Sequence, residues 1–270
     1  MFPAFDFLGR TIAIYPVLAL AGIFAAGLFA CRLAKKRGLS VDDMIVFLLI
    51  SGVGVLIGSH LLYGLVNFPL LIQFFSGLGN LGSPQEFLSG AVAVFGGSIF
   101  YGGLLGGIAA GMCYGAKKGL DMPAHADILA PAVPLFHIFG RIGCFLGGCC
   151  YGVECDFGVV YEHALAPQAN GVRRLPVQLL EAGFNLLLFL LLFRLLKKGV
   201  LKGRLFFLYL LLYPVGRFLL EFLRGDAYRG IWLGLSTSQW ISLALFPAAL
   251  ICLFLRRNPL KKKDGKVEDA

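Results

Sequence analysis

Charge is what this chain has least of. Asp, Glu, Lys and Arg supply 14% of its 270 residues, where a soluble globular domain carries about a quarter. That shortage excludes an ordinary water-solvated surface, and 58% hydrophobic residues with a mean hydropathy of +0.82 place the chain in a membrane. Histidine is scarce too, at four residues, so imidazole chemistry has few candidates. The sequence has no convincing internal repeat of the kind common in transporters, no stretch polar enough for a soluble domain, and no aromatic-and-basic nucleic-acid motif. Its N-terminus has Asp6 and Arg10 before a long apolar run, and no small-residue cleavage site follows, so it reads as a retained anchor rather than a secretory signal. "LFAC" at Leu28 to Cys31 is only faintly like a lipoprotein cleavage box.

What is present is a series of apolar stretches of about 20 residues, the length that crosses a bilayer as a helix. The expected fold is an all-α integral membrane protein with about seven transmembrane helices, roughly Thr11–Ala34, Asp43–Val66, Ala91–Gly115, Ala126–Leu146, Val177–Leu196, Leu205–Leu223 and Leu235–Leu255. Pro69 to Phe75 is apolar but too short to span, and reads as a re-entrant or interfacial segment. Residues 1–255 form a single polytopic domain on this reading, with an extracytoplasmic head loop at 147–176 and a basic cytoplasmic tail at 256–270. Lys and Arg are retained on the cytoplasmic side of a span. Arg32, Lys35, Lys36 and Arg37, then Lys117 and Lys118, then the cluster from Arg194 to Arg204, then Arg256 onward, mark every alternate loop. The N-terminus is therefore expected outside and the C-terminus inside. The net charge of +9 reads as topology and attraction to anionic lipid, with membrane lipids as partners and no nucleic acid.

An ionisable side chain at bilayer depth is costly unless paired or facing a wet cavity, which makes each one a candidate for function. Arg141, Arg217, Glu181 and Glu221 are such residues, joined by Asp127 and His137. His137 and Arg141 stand four apart, as do Arg217 and Glu221, so each pair shares a helix face. The Arg217–Glu221 pair alone could be a tie between spans. Two intramembrane arginines near one leaflet suit a phosphate, whose oxygens a guanidinium engages in a fork. A lipid headgroup would supply it.

At these residues the chain resembles the prolipoprotein diacylglyceryl transferases of bacterial inner membranes, over most of its length and in order. Tyr15 in "AIYPVLALAG" looks like that family's first-span tyrosine. "GGSIFYGGLLGG", with Gly102 and Gly103, resembles its His-Gly-Gly-Leu segment with Tyr101 in place of the histidine. Asp127 in "ADILAPAVPL" falls where the family has an aspartate before its prolines. "GRIGCFLGGCCYG" stands at its signature, usually Gly-Arg-x-Gly-Asn-Phe-x-Asn-x-Glu-x-x-Gly, and keeps Gly140, Arg141, Gly143, Phe145 and Gly152. "RLPVQLLE", with Gln178 and Glu181, "GRFLLEFLRGD", with Arg217, Glu221 and Arg224, and "STSQW", with Gln239, resemble its later stretches.

The resemblance implies transfer of the diacylglyceryl group of phosphatidylglycerol to the lipobox cysteine of a prolipoprotein at the outer leaflet of the cytoplasmic membrane, with glycerol phosphate leaving. It implies no cofactor and no metal. Arg141 and Arg217 would neutralise the departing phosphate, with Glu181 and Glu221 orienting them. Tyr15 and Gln178 would hydrogen-bond the headgroup, and Gly140, Gly143 and Gly152 would admit close backbone.

The departures from the family pattern concentrate on cysteine. Cys144, Gly147 and Cys149 replace the two asparagines and the glutamate, and Leu175 replaces another histidine. Tyr101 is a weak base, with an unperturbed pKa of about 10, so His137 and His60 are the substitutes on offer, or else core histidines satisfied by backbone. Of seven cysteines, Cys31, Cys113 and Cys252 lie singly in spans and read as packing. Cys144, Cys149, Cys150 and Cys155 leave several readings open: disulfides stapling the loop, a reactive thiol beside Arg141, plain packing, or a metal site, against which stands the lack of a C-x2-C half-site.

The small residues of "YGGLLGGIAAG" read as close helix packing. The polar loop from Tyr151 to Arg174 is a head that receives a protein substrate, or a solvated connection. Two other readings stand beside the transferase: a divergent member that uses its own cysteines for another thiol acceptor, and a small transporter or lipid-binding protein.

Overall fold

The computed structural model of the chain describes residues 1–77, 83–226 and 230–255; the basic tail lies outside the described residues. Among these, nine α-helices alternate with three two-stranded hairpins. Two compact units divide the chain, Ala34–Met122 and the remainder on either side of it.

In the unit Ala34–Met122, α2 (Val41–Val66) starts at Ser40, whose hydroxyl accepts the Asp43 N–H at 3.1 Å. Asp42 and Asp43 in its first turn suit the positive end of the helix dipole. α3 (Phe68–Gly77) and α4 (Pro84–Phe95) pack through Phe74 and Phe87, ring centroids 5.5 Å apart. α5 (Phe100–Lys118) lies against α2 along a seam of glycines. A Cβ on Gly106 would meet the Gly58 Cα at 3.0 Å, and one on Gly54 the Ala110 Cβ at 2.6 Å. The repeated small residues are therefore a packing device, as in other close membrane helix pairs.

One expected span is broken. Ala91–Gly115 is not a single helix but the end of α4 and most of α5, separated at Gly96 to Ile99. The cause lies in α2: the His60 Nδ1 donates to the carbonyls of both Phe95 and Gly97 at 2.8 Å, satisfying oxygens that a continuing helix would have used. The Tyr63 ring lies against Gly97 where a side chain would stand. His60 is thus a histidine satisfied by backbone.

The other unit holds most of the ionisable residues. β1 (Ala4–Phe7) and β2 (Arg10–Ala13) form a hairpin before α1 (Ile14–Lys36), so the first helix starts later than expected. α6 (Met122–Gly147) has ten buried residues, Pro131 and Pro134 among them. α7 (Val177–Lys197), α8 (Leu205–Glu221) and α9 (Thr237–Leu255) complete the helices. α8 packs on α7 and α9. Between α6 and α7 the head loop folds on Tyr151, Tyr161 and Ala169, all buried, with β3 (Glu154–Val160) against β4 (Arg173–Arg174). β5 (Ile231–Trp232) and β6 (Leu235–Ser236) form a hairpin before α9.

Among the described residues, five helices are long and apolar enough to cross a membrane: α1, α2, α6, α7 and α9. The other two expected spans correspond to α5, whose glycines lower its hydropathy, and α8, with 17 residues. Large apolar side chains such as Leu20, Ile23, Phe24, Leu49, Leu56, Leu187 and Phe254 are exposed along these helices, an outward apolar face that water does not tolerate and lipid does. The chain is a helical, multi-pass membrane protein.

Candidate active site

The buried charges of α6, α7 and α8 join into one alternating chain. Arg141, on the last third of α6, places its Nε 2.6 Å from Glu181 Oε2. The other oxygen of Glu181 takes Arg217 Nη1 at 2.5 Å. Arg217 Nη2 lies 2.7 Å from Glu221 Oε2, one turn along α8. Arg224, just past α8, approaches the same oxygen at 3.8 Å and grips Asp226 in a fork, at 2.9 and 2.6 Å. Ser236 and Ser238 face Glu221 from the start of α9. Three guanidiniums and three carboxylates alternate, so each charge is held by its opposite. The side chains of Glu181 and Glu221 are 4% and 2% exposed, but Arg141 keeps 21%. Charge at this depth persists only because it is paired, and Arg141 has the most exposed side chain of the three arginines, against 13% for Arg217 and 8% for Arg224.

Beside this chain lies a cluster of thiols. α6 ends at Gly147, and Gly148 turns left-handed at φ +69. Its N–H donates to the Phe145 carbonyl at 3.1 Å, and the Cys149 N–H donates to the Cys144 carbonyl at 3.1 Å. These two bonds form a Schellman motif, in which the residue after the glycine comes back over the last full turn. Here those two positions are Cys149 and Cys144. Cys150 follows at φ 56, a left-handed conformation that costs an L-residue about 1–2 kcal/mol, and its side chain turns to the same place. The sulfurs of Cys144, Cys149 and Cys150 all lie within 4.8 Å of one another. All are free thiols, as is Cys155 on β3, so the disulfide reading of this loop is not what the structure has. Hydrogen bonds from the Cys144 and Cys149 thiols hold the Cys150 thiol below its ordinary range, with Arg224 and Arg141 adding to the effect.

Other expected residues gather here. Gln178, fully buried, donates its amide to the Cys149 carbonyl at 2.7 Å and accepts from the Tyr161 hydroxyl at 3.0 Å. Tyr15 lies among Arg141 and the three thiols. Its ring rests on Gly143, where a Cβ would stand 3.2 Å from Cδ2. Gly152 pairs with Arg224 as a β-bridge, and a Cβ there would meet Leu175 and Leu223 backbone or side chain at 3.0 Å or less. Gly140 has open space where its Cβ would be.

Some expected residues stand elsewhere. Asp127 is 14 residues before Arg141 on α6, about 21 Å along the axis, and its carboxylate accepts the N–H groups of Gly203 and Leu205 at 2.5 and 2.9 Å. It caps α8. Gln239 accepts the Ser236 N–H at 2.9 Å and donates to the Phe218 carbonyl at 3.4 Å, fixing the start of α9. His137, by contrast, stays with the site: it lies beside Asn185 and within electrostatic reach of Arg141 and Arg217, with the Phe136 and Tyr213 rings tilted against it, centroids 5.7 and 5.4 Å away. Tyr101, Gly102 and Gly103 belong to the other unit, at the start of α5; Gly102 and Gly103 are buried against α2. Tyr161 and Asp226 were not among the expected site residues. The meeting of Cys144 with Cys149 had a signal in the sequence, since cysteines on either side of a helix-ending glycine, five apart, have the Schellman spacing.

The sequence model of prolipoprotein diacylglyceryl transferase matches residues 3–255. A phosphatidylglycerol–prolipoprotein diacylglyceryl transferase of Clostridium tetani is 35% identical over 88% of this chain and 91% of its own length. One of Geobacter sulfurreducens is 34% identical over 86% of each, and the protein numbered 2 of that name in Clostridium perfringens is 28% identical over 97% of each.

Proposed function

Since the chain belongs to the prolipoprotein diacylglyceryl transferase family, we propose that it moves the diacylglyceryl group of phosphatidylglycerol onto the cysteine thiol of a prolipoprotein. The observation that carries this reading is the alternating chain of buried arginines and carboxylates, in which the Arg141 side chain is the most exposed of the three arginines. Sulfur attacks the glyceryl carbon, the carbon–oxygen bond to phosphorus breaks, and glycerol phosphate departs with the bonding electrons while the thiol proton passes to solvent. Arg141 meets the phosphate and stabilises the charge it gains on leaving. Arg217 holds Glu181, and Glu181 in turn fixes the plane of Arg141, so the donor fork is preorganised rather than assembled at the moment of reaction. Tyr15 and Gln178 line the same place.

Basic residues on alternate loops support seven crossings, with the N-terminus and this site toward the outer leaflet of the cytoplasmic membrane. In that orientation lipid enters sideways and the protein acceptor arrives from outside. Full-length likeness to named transferases does not favour a transporter or an unrelated thiol acceptor.

The test is release of glycerol phosphate from headgroup-labelled phosphatidylglycerol by the purified protein, with a lipobox peptide bearing Cys or Ser. Release that requires the cysteine peptide, with the diacylglyceryl mass gained by that peptide, is expected. No release from folded protein would overturn the reading.

A further inference from the structure

Three converging thiols are an odd neighbour for buried arginines that are already paired. Sulfur atoms bound to one zinc ion lie about 2.3 Å from it in a tetrahedral arrangement, and so about 3.8 Å from each other. The three sulfurs here lie within 4.8 Å of one another, so side-chain rotations of about 1 Å or less bring them to that spacing. The backbone holds them there by specific means: the Schellman turn joins Cys144 to Cys149, Gln178 pins the Cys149 carbonyl, and Cys150 keeps a left-handed φ. A site of three protein ligands leaves one coordination position open, the arrangement of a reactive rather than a structural zinc.

We propose that Cys144, Cys149 and Cys150 bind one thiophilic divalent cation, zinc(II), whose open position takes the sulfur of the acceptor cysteine. This rests on the transferase reading above. The reaction needs a thiolate, yet Glu181 and Glu221 are ion-paired to arginine and His137 has the cations Arg141 and Arg217 as its charged neighbours. A thiol bound to zinc gives up its proton outright, here to solvent, so the metal makes the thiolate without a side-chain base. The acceptor sulfur then forms its bond to the glyceryl carbon and leaves the metal as a thioether, a far weaker ligand. Arg141 and Arg224 stand beside Cys150 and offset the surplus negative charge of thiolates over cation. The phosphate-binding guanidinium and the thiolate-holding metal are thereby adjacent, three residues apart on α6.

Protein purified under reducing conditions without chelator is expected to carry one zinc per chain by elemental analysis. Cadmium exchanged into it should give the sulfur-to-metal charge-transfer absorption of a three-thiolate site. Cys144→Ser, Cys149→Ser and Cys150→Ser should each weaken zinc binding at least tenfold, with Cys155→Ser retaining it. Chelation should abolish transfer to the lipobox peptide, and zinc should restore it. Intact protein with no zinc, no cadmium absorption, or a disulfide among these three would overturn the site. Bound zinc whose removal leaves transfer unchanged would overturn its role. Stoichiometric zinc in protein that never releases glycerol phosphate would leave the site standing and sink the transferase reading instead.

Discussion

Replacing Glu181 by glutamine keeps the shape of the side chain and removes its charge. In the folded protein that carboxylate serves Arg141 at 2.6 Å and Arg217 at 2.5 Å while 4% exposed. Arg217 retains Glu221 at 2.7 Å, so the loss falls mainly on Arg141, for which Glu181 is the ion-pair partner among the described residues. Removing one member of a buried pair costs about 3–5 kcal/mol, because the remaining charge stays buried uncompensated. With 21% of the Arg141 side chain exposed, water takes part of that load and the lower end, about 3 kcal/mol, applies. The comparison is Glu154→Gln, whose carboxylate meets Arg174 at 3.2 Å but is 67% exposed; an exposed pair is worth less than about 1 kcal/mol. Denaturant titration in mixed micelles should therefore separate the two variants by about 2 kcal/mol. Transfer by Glu181→Gln should also fall at least tenfold, since its phosphate fork is no longer held. Equal unfolding free energies for the two variants would refute the claim that Arg141 depends on Glu181.

The glycine seam predicts that Gly106→Val, whose Cβ would meet Gly58 and Gly54 backbone, destabilises the α2–α5 pair by about 3 kcal/mol or more. Gly52→Ala, with nothing within 4 Å of its Cβ, should leave thermal unfolding in detergent unchanged. Asp127→Ala removes the cap on α8 and should cost about 0.5–2 kcal/mol; a loss of activity well beyond the loss of folded protein would argue that the carboxylate does more than cap. Tyr161 lies in the head loop, and burial raises its phenol pKa. The unfolded chain therefore releases this proton above about pH 10 while the folded chain keeps it, and stability falls as pH rises through that range. Tyr161→Phe should abolish that alkaline component and, by leaving Gln178 short of a donor, cost about 1–3 kcal/mol at neutral pH, both read from unfolding midpoints against pH.

Sequence alone determined the solvent. Apolar runs of bilayer length and alternate basic loops mark a multi-pass membrane protein without any fold knowledge, because the cost of burying charge in hydrocarbon leaves few arrangements. It also singled out Arg141, Glu181, Arg217 and Glu221, since an ionisable group in an apolar stretch is conspicuous. Helix-period reasoning found the Arg217–Glu221 pair, four residues apart on one helix. It could not find Glu181 between Arg141 and Arg217, because those three sit on three helices and pairing across helices depends on packing. Tertiary contact likewise decided the break at Gly96 and Gly97, where His60 and Tyr63 from another helix take the carbonyls and the space that a continuous span would need. Asp127 and Gln239 looked like site residues from their place in the chain, and only the fold showed both serving helix starts. The thiols fall between the two cases: the Cys144–Gly148–Cys149 spacing was written in the sequence, but the left-handed turn that brings Cys150 to the same point exists only once the chain is folded.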